Sequence, residues 1–139
     1  MPFLRALGRL LYFALYTSLK IGQIVLGNLW RGENIPRALR IRQQWANHLL
    51  PFIGVQATMQ GDPPDFPCIL MGNHRSYLDP VLIVRWVLAY GVSKAEVAHW
   101  PIIGYGTRVA GVIYLKRENV ASRRITLQGI AEKVGEGYP

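Results

Sequence analysis

The chain has 139 residues, which is the size of about one domain and is enough to bury a hydrophobic core. Half of the residues are hydrophobic and 17% are charged, and this composition excludes a disordered chain. The single cysteine, Cys68, excludes an intramolecular disulfide framework, fits a reducing compartment and has no second cysteine as a metal co-ligand.

The net charge of +8 is concentrated in the first 50 residues, which carry seven Lys or Arg side chains against Glu33 alone. Because this basic end is also rich in apolar residues, it favours an anionic membrane surface as partner over a nucleic acid. No zinc-finger spacing, aromatic RNA-binding motif or Lys/Arg-rich run supports the nucleic-acid alternative. We therefore expect no nucleic-acid partner.

Residues 3–30 predict a long amphipathic helix with a polar stripe that spans a sector of about 80°. The stripe consists of Arg5, Arg9, Tyr12, Tyr16, Lys20 and Gln23. A narrow polar stripe on an apolar body is typical of a helix in the lipid headgroup boundary, with cationic groups that reach the phosphates. Lys20 interrupts the apolar stretch, which makes a spanning helix a poor match. A tilted spanning helix, a soluble core helix and a cleaved signal peptide are the alternatives. We expect residues 1–37 to be a membrane-associated helical segment with a linker.

In residues 38–139, strands alternate with helices, which predicts the amino-terminal part of an α/β domain with a mostly parallel sheet flanked by helices. The expected helices cover about 38–50, 81–90, 93–99 and 119–134, the last of them amphipathic, and the expected strands cover 55–60, 66–71 and 109–115. Asp79 is expected to cap the helix that Pro80 starts, and Gly91 is expected to follow the end of that helix.

The loop "MGNHRSYLDP" at residues 71–80 places His74 and Asp79 five positions apart, just after an expected strand. On one continuous helix two such side chains would diverge by about 140°, so the residues between them must turn. An aspartate held ionised at a helix start could orient the imidazole and leave its other nitrogen as a general base. The alternative is a polar strand–helix loop with a capping aspartate. His48, His74 and His99 lie in separate segments, so we expect no metal site.

No protein nucleophile accompanies this pair. Ser76 is close in sequence but lacks the G-x-S-x-G elbow that exposes a catalytic serine. A hydroxyl of the substrate could supply the nucleophile instead, which requires no covalent enzyme intermediate.

Four segments in order resemble the glycerolipid acyltransferases of the PlsC-like family. The segment NHRSYLDP resembles the hallmark of that family, Asn-His followed by four residues and Asp. VSKAE at 92–96 resembles the lysine-containing segment, HWPIIG at 99–104 resembles the x-P-x-x-G step, and GVIYLKR at 111–117 resembles the second block. The resemblance covers about residues 38–139.

The resemblance implies a role for each matching residue. His74 would deprotonate the acceptor hydroxyl, with Asp79 as its orienter, and that hydroxyl would attack the thioester of acyl-CoA or acyl carrier protein. Arg117 would hold the phosphate of the acceptor, and Lys94 is a secondary candidate near the anionic substrates, with a solvated helix lysine as the alternative. Asn73, Arg75 and Ser76 would support the site. No cofactor is implied, since the acyl donor is a co-substrate.

The third block of the family, a Glu-Gly-Thr-Arg-like phosphate-binding loop, is not found in the sequence, which ends at Pro139. The resemblance therefore implies the amino-terminal half to two-thirds of such an enzyme. The expected activity is acylation of 1-acylglycerol-3-phosphate to phosphatidate in phospholipid biosynthesis. The alternatives are another acceptor (glycerol-3-phosphate or another lysolipid) and a non-catalytic membrane- or lipid-binding relative. The implied location is the cytoplasmic face of a bacterial inner membrane.

Overall fold

The computed structural model describes residues 2–115 and 120–138. The helices are α1 (Pro2–Arg31), α2 (Ile35–Phe52), α3 (Asp79–Trp86), a 3₁₀ helix (Ala95–His99), α4 (Ile103–Val109) and α5 (Val120–Gly135). The strands are β1 (Gly91–Lys94) and β2 (Val112–Leu115), which pair in parallel. The structure is thus α/β, as expected, but its described sheet is a small one of two strands.

Helices α1 and α2 form an antiparallel hairpin. Asn34 caps α2 by accepting a hydrogen bond from the Arg37 amide at 2.8 Å, and Pro36 lies in the first turn, where its missing N–H costs nothing. The Arg37 guanidinium reaches back to Asn28 Oδ1 at 2.9 Å and to the Gly32 carbonyl at 2.8 Å. These bonds close the connection between the two helices and start α2 at Ile35, before the expected position 38.

The middle of the polar stripe (Tyr12, Tyr16 and Lys20) faces α2, whereas Arg5, Arg9 and Gln23 are exposed. The pairs that join the two helices are Tyr12 with Phe52, Tyr16 with His48, Thr17 with Trp45, and Lys20 with Gln44. Most of the large side chains that α1 exposes are apolar, and they include Leu15, Leu19, Leu26, Leu29 and Trp30. By length and composition alone, α1 could cross a membrane. The sequence predicted that this stripe would point to lipid headgroups. In the structure its middle residues contact α2 instead, because α2 offers them aromatic and amide partners.

The buried core lies on α2 and extends to α1 and to the end of α4. The fully buried side chains of α2 include Leu39, Leu49 and Leu50. Ile24 of α1 and Ala110, which precedes β2, pack with Ile41 in one cluster. Helix α2 therefore supports α1 on one side and the end of α4 on another.

Arg42 of α2 connects the starts of the two strands. Its guanidinium donates to the carbonyls of Ala89 and Ala110, each two residues before a strand, and the bond to Ala110 measures 3.0 Å. Burial lowers the pKa of Arg42 to about 10, so the group is charged at neutral pH. In the sheet, Gly91 pairs with Val112, and a Cβ at Gly91 would lie 3.3 Å from the Val112 side chain. The glycine thus begins β1 instead of ending a helix, and α3 ends at Trp86 because Val87 is extended.

The strands expected at 55–60 and 66–71 are wrong, since both segments are irregular in the structure. Their apolar side chains lack a covering layer: Ile69 is 64% exposed and Met71 is 92% exposed. An apolar segment tends to be buried, but it forms a strand only where another strand pairs with its backbone hydrogen-bonding groups.

The segment from residue 93 to residue 115 also differs from expectation. Ser93 and Lys94 belong to β1, and the expected strand at 109–115 shortens to β2 because Val109 ends α4. Among residues 121–135 of α5, Thr126 is buried, and its hydroxyl donates to the Ser122 carbonyl at 2.9 Å. The neighbouring apolar residues Ile125 and Leu127 are exposed, so the amphipathic pattern expected for this helix is not observed.

Replacing Arg42 with methionine should lower the free energy of unfolding by about 1–3 kcal/mol, because the carbonyls of Ala89 and Ala110 would lose their donor while most of the side-chain volume remains. Urea titration in detergent measures this. The matched control is Arg40→Met, an exposed arginine on the same helix, which should change the value by less than about 0.5 kcal/mol. Equal losses in the two variants would contradict a specific role of Arg42.

Candidate functional site

The loop before α3 is folded around one carboxylate oxygen. Asp79 Oδ2 accepts hydrogen bonds from the Arg75 amide at 2.6 Å, the Ser76 amide at 2.7 Å and His74 Nδ1 at 3.0 Å. The Ser76 hydroxyl accepts from the Leu78 amide at 3.1 Å, which tightens the turn further. The structure therefore brings His74 and Asp79 together, as the sequence predicted, by turning the chain between them.

Asp79 is not the N-cap that the sequence predicted. It is the first residue of α3, the cap position belongs to Leu78, and the Leu78 carbonyl accepts from the Leu82 amide at 2.9 Å. Because the helical backbone already begins at Leu78, the Asp79 carboxylate points back to the loop amides instead of forward to the helix. Asp79 is thus held by loop amides instead of helix amides, while its contact with His74 is the one expected.

The pKa of the Asp79 carboxyl lies below its ordinary value. The largest cause is the hydrogen bond from the Ser76 amide; partial burial acts in the opposite direction, and the Arg75 amide and His74 add to the lowering. Hydrogen bonds to the charged form favour that form, so Asp79 is ionised at neutral pH.

The bond to Asp79 sets the tautomer of His74. An ionised carboxylate only accepts hydrogen bonds, so the hydrogen shared with it must reside on Nδ1 of the imidazole. In the neutral ring, Nε2 then has a free lone pair. The His74 side chain is 64% exposed, against 28% for Asp79, and no hydrogen bond among the described residues occupies this nitrogen. The pair can therefore act as an oriented base.

The other predicted site residues lie partly in the same loop as this pair and partly elsewhere in the chain. Asn73 is exposed in the same loop, while Arg75 and Ser76 contribute to it through their backbone amides. Lys94 is the last residue of β1, opposite Leu115, and no hydrogen bond among the described residues joins it to the loop. Lys94 is thus in a strand, not in the helix that was expected. Arg117 lies outside the described residues, two positions after the end of β2 in the sequence.

One contact of the loop was not predicted. The Tyr77 ring meets the Trp100 ring edge-on, with centroids 5.6 Å apart and an interplanar angle of 63°. The only signal in the sequence was the presence of an aromatic residue in each of the two segments, which does not indicate that they touch. This contact joins the loop to the segment that follows the 3₁₀ helix.

Among residues 2–115 and 120–138, no group of three or more His, Cys, Asp or Glu side chains could hold a metal ion. The expectation that the chain uses no cofactor stays a prediction.

Residues 33–139 match a family model described as acyltransferase. A lyso-ornithine lipid O-acyltransferase of Pseudomonas aeruginosa is 29% identical over 102 residues, which are 73% of this chain and 39% of that protein. A chloroplastic 1-acyl-sn-glycerol-3-phosphate acyltransferase of Brassica napus is 30% identical over 101 residues, 70% of this chain and 29% of that protein. A lysophosphatidylcholine acyltransferase of Drosophila melanogaster is 33% identical over 67 residues, 48% of this chain and 13% of that protein. The chain thus spans well under half the length of these relatives. No solved structure matches the chain significantly.

The geometry of the loop predicts an acid titration below the ordinary value of 3.8 for Asp79. Because the folded-state pKa lies below the unfolded-state value of about 3.9, the stabilisation by the ionised carboxylate is complete above that unfolded value. It is lost as the pH falls through the folded-state pKa. The amide proton resonances of Arg75 and Ser76, followed by NMR against pH, report the titration.

His74→Ala should raise the midpoint of this titration but leave it below 3.8, since the Ser76 amide is the largest cause of the lowering. Ser76→Ala, which keeps that amide, is the control and should leave the pKa of Asp79 low. A midpoint at or above 3.8 in the unaltered chain would show that the three donors do not converge on Asp79 in solution.

Proposed function

Since the chain belongs to the acyltransferase family that acylates glycerolipids and lysolipids, we propose that it transfers a fatty acyl group from acyl-CoA or acyl carrier protein to the free hydroxyl of a lysophospholipid. The observation that carries the proposal is the His74–Asp79 hydrogen bond at 3.0 Å, which leaves Nε2 of an exposed imidazole free. The proposed acceptor is 1-acylglycerol-3-phosphate, and the product is phosphatidate.

In the proposed reaction, His74 Nε2 takes the proton of the acceptor hydroxyl while that oxygen attacks the thioester carbonyl. The tetrahedral intermediate then collapses, the C–S bond breaks, and the imidazolium returns the proton to the leaving thiolate. Asp79 keeps the ring in the correct tautomer and stabilises the imidazolium. No hydrogen bond among the described residues links His74 to Ser76, which favours the substrate hydroxyl as the nucleophile.

The acceptor is the least constrained part of the proposal. The three relatives are named for a lyso-ornithine lipid, an acylglycerol phosphate and a lysophosphatidylcholine, which all share a free hydroxyl on a lysolipid. Arg117, with Lys94 as a secondary candidate, is proposed to hold the phosphate, because a guanidinium binds phosphate with two parallel hydrogen bonds. The second candidate acceptor is lyso-ornithine lipid, for which the relative from Pseudomonas aeruginosa is named.

We also propose that α1 places the protein on the membrane that holds its substrate, at the cytoplasmic face of a bacterial inner membrane. The support is the outward apolar face of α1, with Leu15, Leu19 and Leu26 exposed on it. A basic amino-terminal region adds attraction to anionic lipid. A non-catalytic relative would bind lipid in the same way without turning over a donor.

Replacing His74 with alanine should reduce turnover about 10²–10⁴-fold, because the acceptor hydroxyl would lose its base. The assay follows labelled acyl-CoA or acyl carrier protein with each of the three lysolipids in mixed vesicles. His48→Ala, an exposed histidine on α2, is the control and should keep turnover. Unchanged turnover in His74→Ala would remove the proposed base, and no turnover of the unaltered chain on any pair of substrates would favour a non-catalytic lipid-binding protein.

Replacing Leu15 or Leu26 with glutamate should weaken binding to anionic vesicles about tenfold or more, since each loses the transfer energy of a buried leucine. Vesicle flotation measures this. Leu127→Glu is a matched control, because Leu127 is equally exposed but lies on α5. If all three variants bind equally well, α1 does not provide the lipid contact.

A further inference from the structure

The segment between the 3₁₀ helix and α4 contains a strained turn. Ile102 has a φ of 63° and a ψ of −60°, and the Ile103 amide donates to the Pro101 carbonyl at 2.6 Å. This is the γ-turn of the rare, strained kind, and a β-branched residue seldom adopts it. Such a conformation persists only where the surrounding structure enforces it, and strained residues concentrate at functional sites.

Contacts of α4, the helix that follows Ile102, hold the turn in this conformation. A Cβ on Gly104 would lie 2.4 Å from the Ala98 carbonyl oxygen, so only glycine allows this approach of the backbones. Arg108 donates to the same carbonyl at 3.1 Å. About one helical turn after Gly104, the Thr107 hydroxyl lies 2.6 Å from the Tyr114 hydroxyl. The turn is therefore fixed to the 3₁₀ helix and to β2.

Trp100 lies two residues before the strained residue and is fixed by the same backbone. Its amide donates to the Val97 carbonyl at 3.1 Å, and its carbonyl accepts from the Gly104 amide at 2.9 Å. The indole meets Tyr77, which is two residues from Asp79. A single aromatic contact, between Trp100 and Tyr77, therefore connects the strained turn with the loop that contains His74.

The loop itself has little other support from the fold. Among the described residues, the side-chain hydrogen bonds of His74, Ser76 and Asp79 stay within the loop, so they shape it without joining it to another element. Tyr77 remains 81% exposed despite the contact, which shows that this ring does not serve as a core residue. Helix α3 carries the end of the loop, and the Trp100 side chain meets its middle at Tyr77.

We propose that Trp100 is a positioning residue: the γ-turn at Ile102 fixes the indole, and the indole holds the loop of His74 and Asp79 through Tyr77. This inference rests on the proposed function, since the loop needs a fixed place only if His74 meets a substrate there. An aromatic edge contact suits this task, because it restricts a ring that is otherwise in solvent.

The kinetic test compares Trp100→Ala with Trp100→Phe, Tyr77→Ala and the double Trp100→Ala/Tyr77→Ala variant. Trp100→Ala should lower kcat about ten- to hundredfold with little change in KM for donor or acceptor, because misplacement of a base affects the chemical step. Phenylalanine should restore most of the loss, and the double variant should be no worse than the single ones. The control is Tyr105→Ala, an exposed aromatic on α4, and thermal melting checks that each variant is folded.

A second readout does not require turnover. Hydrogen exchange of the Arg75 and Ser76 amides should become about three- to tenfold faster in Trp100→Ala and stay unchanged in Tyr105→Ala, since the aromatic pair contributes a modest energy. Unchanged exchange, or a rise in KM for the donor alone, would overturn the proposal, the latter because it would make Trp100 part of the acyl-binding surface. If the unaltered chain turns over no lysolipid, the proposed function fails while the exchange measurement still decides the role of Trp100.

Discussion

The hydrogen bonds that converge on a single oxygen of Asp79 determine what the rest of the molecule can do. Two backbone amides and one imidazole nitrogen share this acceptor at 2.6–3.0 Å. The amides make the turn, and the turn makes it possible for residues five positions apart to touch. The same bonds keep the carboxyl ionised, and an ionised carboxyl fixes the tautomer of His74. The same three hydrogen bonds to Asp79 therefore determine both the shape of the loop and the ionisation of its carboxylate.

Helix α2 connects this loop to the amino-terminal helix. It packs against α1 on one side and against α3, which begins with Asp79, on another. Its Arg42 also bonds the carbonyls that precede both strands. The distance from the apolar face of α1 to His74 is consequently set by rigid helix contacts instead of by a flexible linker. For a lipid acceptor whose hydroxyl lies near the headgroup level, that fixed distance decides whether the base can reach it.

The parts that sequence predicted well were those governed by local chemistry. The loop of His74 and Asp79 needed only spacing and hydrogen-bonding capacity, and α1 and α2 needed only periodicity. The prediction of strands at 55–60 and 66–71 was wrong because a strand needs a second strand to pair with, and no local sequence pattern shows whether one is present. Helix α4 was missed since Gly104 and Gly106 argue against a helix, although Gly104 is required by its close approach to the Ala98 carbonyl. The contact of Tyr77 with Trp100 joins distant segments and left no local signature.

The polar stripe of α1 has a consequence for how the proposed membrane contact must be made. A polar stripe on an apolar helix fits either lipid headgroups or a protein neighbour, and in the structure Tyr12, Tyr16 and Lys20 meet α2. A helix that crossed the bilayer in this arrangement would take α2 with it, including the exposed Arg40, whose charge costs about 2.5–3.5 kcal/mol at the bilayer centre. Lying in the plane of the interface avoids that cost, because only the apolar face then enters lipid. The hairpin, which covers the middle of the stripe with α2, therefore favours a helix on one leaflet, with the domain on the aqueous side.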